Sequence, residues 1–188
     1  MDELRPVSAR PPPGSAGLKS ALSGLVDADE ADAAKARRRY RSERMPAIGP
    51  DPAIGPLLAP GEQVLAVRRR IGFERRPASE GKAGRGRGDL YLTTARLVLL
   101  EQRAIEICLD QIQEAMVSAN QLLLVLHDGA GMSLEVDRPL LLRVELATAR
   151  AARTQDDARA HARAGLGAAP AVAAPATAAP LPTVDTTT

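Results

Sequence analysis

Residues 88–100 read Gly88-Asp89-Leu90-Tyr91-Leu92-Thr93-Thr94-Ala95-Arg96-Leu97-Val98-Leu99-Leu100. Leu90 and Leu92 alternate with polar or amphipathic neighbours, and Leu97 and Leu99 form matching apolar rungs beyond the short step Thr93-Thr94-Ala95. Side chains two apart share one face of a strand, so each run has an apolar side to bury. The step between them is too short for a crossover helix, which makes the pair antiparallel. Arg96, directly after the link, is placed to satisfy neighbouring carbonyls.

Strand patterns continue on both sides. An extended run at 63–73 precedes a second at 89–93, and a third covers 95–101. Ile105, Ile107 and Leu109 alternate with Glu106, Cys108 and Asp110, giving a fourth over 104–109. Short runs follow at 113–118 and 121–127, then Met132, Leu134 and Val136 alternate with Ser133, Glu135 and Asp137 over 132–137. Asp128-Gly129 is the step that hairpins favour, so the last two strands are expected to pair.

The period then changes. Leu142, Leu146, Ala149 and Ala152 recur at helical spacing, Asp137 can serve as N-cap and Pro139 is tolerated in the first turn. One amphipathic helix over 138–153 is predicted, fraying toward His161. Seven short strands need closure or a cover for their apolar faces, and this helix is the natural cover. The expected fold is mostly β: a seven-stranded antiparallel barrel or sandwich capped by one C-terminal helix.

Around this domain, 57–153, the composition differs. Residues 1–26, with Pro11, Pro12 and Pro13, and residues 154–188, rich in Ala, Pro and Thr, are read as disordered tails. Residues 27–45 form a charged helix ended by Pro46. Its acids Asp27, Asp29, Glu30 and Asp32 precede Lys35, Arg37, Arg38, Arg39 and Arg41, an order that opposes the helix dipole. Residues 46–56 repeat Pro-Ala-Ile-Gly-Pro and read as a semi-rigid spacer rather than a ligand for a proline-reading partner.

At the level of motifs, Gly88 to Leu100 resembles the "G-x-L-y-L-T-x-x-R-L" segment of GRAM and bacterial PH-like domains. Pro60-Gly61-Glu62-Gln63-Val64 is similar to the lead-in to their first strand, and Asp137-Arg138-Pro139 to the start of their closing helix. The resemblance covers 57–153, about half of the chain. It implies the PH-like superfold and a non-enzymatic binding module. Many eukaryotic PH domains carry a Trp in the closing helix; this chain has none, so the resemblance favours the GRAM-like branch over phosphoinositide binding.

Composition narrows the function classes. The chain has 188 residues, 45% of them hydrophobic, with a net charge of +2, which allows one domain plus tails and gives no global pull toward nucleic acid. Tyr40, Phe73 and Tyr91 are the only aromatics, too few for a base- or sugar-stacking platform. Cys108 is the only cysteine, which excludes an internal disulfide and a multi-Cys zinc site. With His127 and His161 far apart, no metal set, nucleophile–base pair or cofactor motif is expected. Gly84-x-Gly86-x-Gly88 leads into a strand rather than a helix, so it is not a dinucleotide fingerprint. The N-terminal residues lack a basic region followed by an apolar one, which makes a cytoplasmic protein the expectation, with the inner face of the membrane as the alternative place.

Two basic clusters are the candidate anion sites. Arg75, Arg76, Lys82, Arg85 and Arg87 fall in the loop expected over 74–88, where a flexible Gly-Arg alternation could meet a lipid head group. Arg68, Arg69 and Arg70 interrupt the first strand, either as a bulge or edge or as a binding stripe continuous with Arg75. A protein-interaction or adaptor role is the primary expectation. Peripheral association with anionic lipid through 74–88, and tethering through the tails, are the alternatives; nucleic acid is not expected as a partner.

Overall fold

The hairpin read at 88–100 lies within the left half of the sheet. The computed structural model describes residues 15–49, 51–79 and 83–167, with side chains described from 24 to 163. Seven strands, β1 (Val64–Arg76), β2 (Gly84–Thr93), β3 (Arg96–Leu100), β4 (Ala104–Cys108), β5 (Ile112–Ser118), β6 (Gln121–Leu126) and β7 (Gly131–Glu135), form one antiparallel sheet ordered β4-β3-β2-β1-β7-β6-β5. Its two edges are consecutive in the chain. The three-residue turn Leu109–Gln111 joins them, with Leu109 N donating to Ala95 O at 3.0 Å and His127 N to Gln111 O at 2.9 Å. The sheet therefore curls until its edges are neighbours, leaving one seam without ladder bonds.

Register follows from the leucines. Leu90 faces Leu99 and Leu92 faces Leu97, and all four line the core with Ile107, Leu122, Leu124 and Leu134. The Asp-Gly turn forms as expected: Gly129 takes φ +83, open to glycine at no steric cost, and Asp128 Oδ1 accepts Ala130 N at 2.8 Å. Helix α2 (Pro139–Gly167) covers the core with Leu142, Leu146 and Ala149.

Both helices are longer than their sequence patterns suggest. The helix expected from residue 27 begins at Ser15 as α1 (Ser15–Tyr40), and α2 continues past the expected end near 153, to Gly167. Alanine, arginine and leucine need little apolar burial to stay helical, and no proline interrupts either run. Residues 1–14 and 168–188 lie outside the described residues.

Helix α1 does not stand free. Ala33 and Ala36 pack on Val144, with Tyr40, Leu140 and Leu141 beside them. Asp29, buried, accepts Leu140 N at 2.8 Å and Leu141 N at 2.9 Å. The first turn of α2 is thus capped from a residue about 110 positions earlier, and not by Asp137 as the local sequence suggests. Contacts advance along both helices together, from Asp29 at Leu140 to Arg44, just past the end of α1, whose Nη2 meets Asp156 at 2.8 Å, so they run in the same direction. Asp29→Ala is expected to destabilise the helix pair by about 1–2 kcal/mol. Hydrogen exchange checks this: amides of α1 should exchange faster while those of the sheet keep their protection.

The segment 46–56, expected to be a spacer, is packed against the outer face of the hairpin. Ile48 N donates to Val64 O at 2.8 Å, and Ile54 is fully buried with Val64, Tyr91 and Val98. Asp51 holds the turn by accepting Ala53 N at 3.0 Å and Ile54 N at 3.2 Å. A buried isoleucine contributes roughly 1.5–3 kcal/mol, which is reason enough for the segment to stay down.

Candidate functional site

The expected loop over 74–88 is mostly strand. β1 runs to Arg76 and β2 starts at Gly84, so Arg75, Arg76, Arg85 and Arg87 sit on a ladder; Lys82 lies outside the described residues. The Gly-Arg alternation is then a matter of faces. Gly86 opposes Phe73 on the inner side, where an added Cβ would meet the ring at 2.7 Å, and at Gly88 it would meet Leu100 O at 2.3 Å. The glycines make room for crossing chain, and the arginines between them point outward. Flexibility is not what they supply.

On that outer face Glu74 is the hub. It accepts Arg76 Nε at 3.2 Å and Arg85 Nε at 3.0 Å. The hydrogen bond from Arg76 is the main cause that holds its carboxyl below the ordinary glutamate range, against some desolvation. Beside it a depression of about 320 Å³ is bounded by Arg85, Arg87, Gln121, Ser133 and Glu135. Two carboxylates, Glu74 and Glu135, face two guanidiniums there, so the surface is nearly neutral. Of the described cations, Arg76 and Arg85 are held by Glu74, and Arg85 and Arg87 border the depression.

The arginine triplet is resolved by a bulge. Arg68 pairs with Leu90 and Ile71 with Gly88, so one residue is extra, and Arg70 takes φ 53. Strict alternation would have turned Arg70 inward and Ile71 out; the bulge reverses both. Arg68 Nη2 meets Glu145 Oε2 of α2 at 2.6 Å. Arg69 turns to the outer face, where Nη1 donates to Asp89 Oδ2 and to the Tyr91 hydroxyl, both at 2.7 Å, and Nη2 pairs with Asp51. Its guanidinium lies 5.4 Å from the centre of the Tyr91 ring. The bond to Asp89 leads the causes that raise its pKa, and Asp89 is lowered in turn. Two of the three arginines are therefore held by carboxylates of the fold, Arg68 by Glu145 and Arg69 by Asp51 and Asp89.

A larger groove, about 750 Å³, lies along the outside of α2. The end of α1 and residues 41–45 form one wall; Gln63, Leu65 and Thr94 form the other. Met45 and Leu65 pack against the core and give it an apolar floor with Val144 and Ala149. Arg37, Arg41, Arg44, Arg143 and Arg153 reach its rim, against Glu43 and Asp156. Arg37 and Arg41, read from the sequence only as part of the charged helix 27–45, border this groove, which the sequence did not disclose. The one signal available was the second apolar stripe on α2, Leu140, Leu141 and Val144, which a single cover does not need.

Neither depression includes His127 or His161. Among the described residues no group of three His, Cys, Asp or Glu side chains is disposed to hold a metal, and no described helix is long and apolar enough to cross a membrane.

No protein-family model matches the chain, and no curated protein matches it. Among solved structures it is similar to the C-terminal domain of an unknown protein from Leishmania infantum, at 17% identity and a TM-score of 0.38, over 52% of this chain and 91% of that one.

Proposed function

We propose that this protein is a non-enzymatic, PH-like or GRAM-like binding module that engages a protein partner in the cytoplasm. The observation that carries the reading is the groove of about 750 Å³ along α2, with an apolar floor and a charged rim. A concave site of that size with apolar surface at its base is a common form of binding site. The strand order, closed by a C-terminal helix, supports the PH-like part of the reading, as do Gly61, Glu62, Thr93 and Arg96 in their motif positions. Lipid association through the basic hairpin draws less support, because Glu74 engages two of its cations.

Site-specific photo-crosslinking in cells tests it. A benzophenone amino acid replacing the exposed Ala151, in the groove, should give protein adducts, and the same probe at the exposed Gln113 of β5 should not. Lipid adducts at Ala151, or the same adducts at both positions, would remove the reading.

A further inference from the structure

The groove also indicates what it takes, and this step rests on the binding-module reading. We infer that its occupant is an acidic peptide segment with interspersed apolar side chains.

Five guanidiniums reach the lining against two carboxylates. Three of the five already have partners: Arg37 meets Glu30 at 3.2 Å, Arg44 meets Asp156 at 2.8 Å and Arg153 meets Asp110 at 2.8 Å. Arg41 and Arg143 are exposed and, among the described residues, have no carboxylate within ion-pair distance. They come from different elements, one after the end of α1 and the other on α2. An anionic chain lying between them gains forked guanidinium–carboxylate bonds from both, a geometry that lysine would not hold.

The floor selects among anions. Met45 and Leu65, both partly exposed, offer apolar surface that phosphate or a bare acidic tract leaves uncovered. Nucleic acid would need flat rings to stack on, and Tyr40, the groove's only aromatic, is half-buried between the helices. A planar bilayer touches convex surfaces, whereas these arginines ring a slot. The lining runs along α2 from Arg143 to Asp156, which at 1.5 Å per residue is about 20 Å. That length suits about six extended residues, more than a single amino acid or small acid would fill.

The test uses the full chain and fluorescein-labelled short peptides read by anisotropy. One probe alternates Glu with Leu, a second has Ser for each Leu, and a third has Lys for each Glu. The Glu-Leu probe should bind, with an affinity that falls as salt rises. Binding should drop at least roughly tenfold for the Glu-Ser probe and vanish for the Lys probe. Arg41→Glu/Arg143→Glu should weaken the Glu-Leu probe by roughly tenfold or more, with Arg87→Glu, on the hairpin, unchanged. Both substituted side chains are exposed, and an unaltered thermal melt confirms that the double variant is folded. Equal binding of the Glu-Leu and Glu-Ser probes, no effect of the double reversal, or no binding at all would overturn the inference, as would phosphatidylglycerol vesicles competing fully for the groove. If photo-crosslinks at Ala151 persist while the peptides fail, this inference falls and the binding-module reading stands.

Discussion

Arg68→Met is expected to lower stability by about 3 kcal/mol, while Arg68→Met/Glu145→Met returns close to the parent protein. The pair joins the bulge of β1 to α2, so it fastens the helix to the sheet. Glu145 Oε2 lies 2.6 Å from Arg68 Nη2, and the two side chains are 10% and 22% exposed. Removing the guanidinium alone leaves a carboxylate in apolar surroundings with nothing to answer it, and this is the costly step. Removing both substitutes apolar contact for two desolvated charges, a near-even exchange. Urea midpoints of the two single variants and the double variant measure the coupling directly. Additive losses would show that the two side chains act separately.

The same site sets a pH dependence. Burial pushes the Glu145 carboxyl above its ordinary range, with Arg68 pulling the other way. The native state therefore keeps a proton that the unfolded chain has already released. Stability from this group falls as pH rises from the ordinary glutamate range through the raised native value. Arg68→Met removes the opposing pull, so its slope should be steeper than the parent's, and Glu145→Gln should flatten it. Urea midpoints across that range provide the check.

The elements legible in the sequence are those whose cause is local. The two-residue spacing of Leu90 and Leu92, and of Leu97 and Leu99, needs only a strand, and the structure pairs these residues as the pattern implies. Asp128-Gly129 determines its own turn. Arg96 was read as a carbonyl partner, and its Nη2 does meet Leu57 O at 2.6 Å. What escaped depends on partners distant in the chain. Asp29 looks like one acid in a charged helix until α2 arrives with two free amides. The Pro-rich segment looks like a spacer because nothing nearby says that Tyr91 and Val98 expose an apolar outer face for Ile54. The groove is of the same kind, since its walls come from α1, the start of β1 and α2. The loop reading of 74–88 fell short for the opposite reason. Counting cations along a loop ignores that a ladder sends neighbours to opposite faces and sets Glu74 between Arg76 and Arg85.

Arg96→Ala should cost about 3 kcal/mol, because it strips a second buried carboxylate of its partner. Glu62, whose side chain is 3% exposed, receives Arg96 Nε at 3.0 Å on Oε1 and Nη2 at 2.8 Å on Oε2. Arg96 also reaches Glu106 at 2.6 Å, so one guanidinium ties the lead-in of β1 to β3 and β4. The buried Thr93 completes the arrangement: its hydroxyl donates to Glu62 Oε1 at 2.6 Å and accepts Ala95 N at 3.1 Å and Arg96 N at 2.9 Å. These motif residues therefore clamp the hairpin instead of facing a ligand. Arg96→Lys should recover only part of the loss, since an ammonium cannot fork to two carboxylates and the Leu57 carbonyl at once. The titration runs opposite to that of Glu145. Burial would raise the Glu62 carboxyl, but the hydrogen bonds from Thr93, Ala59 N and Arg96 outweigh it and hold the group low. Its stabilisation is present above the ordinary glutamate range and is lost as pH falls through the depressed native value. Thermal midpoints on the acid side should therefore drop more steeply for the parent than for Glu62→Gln. Parallel acid limbs in the two proteins would mean that Glu62 is not charged and clamped in the native state.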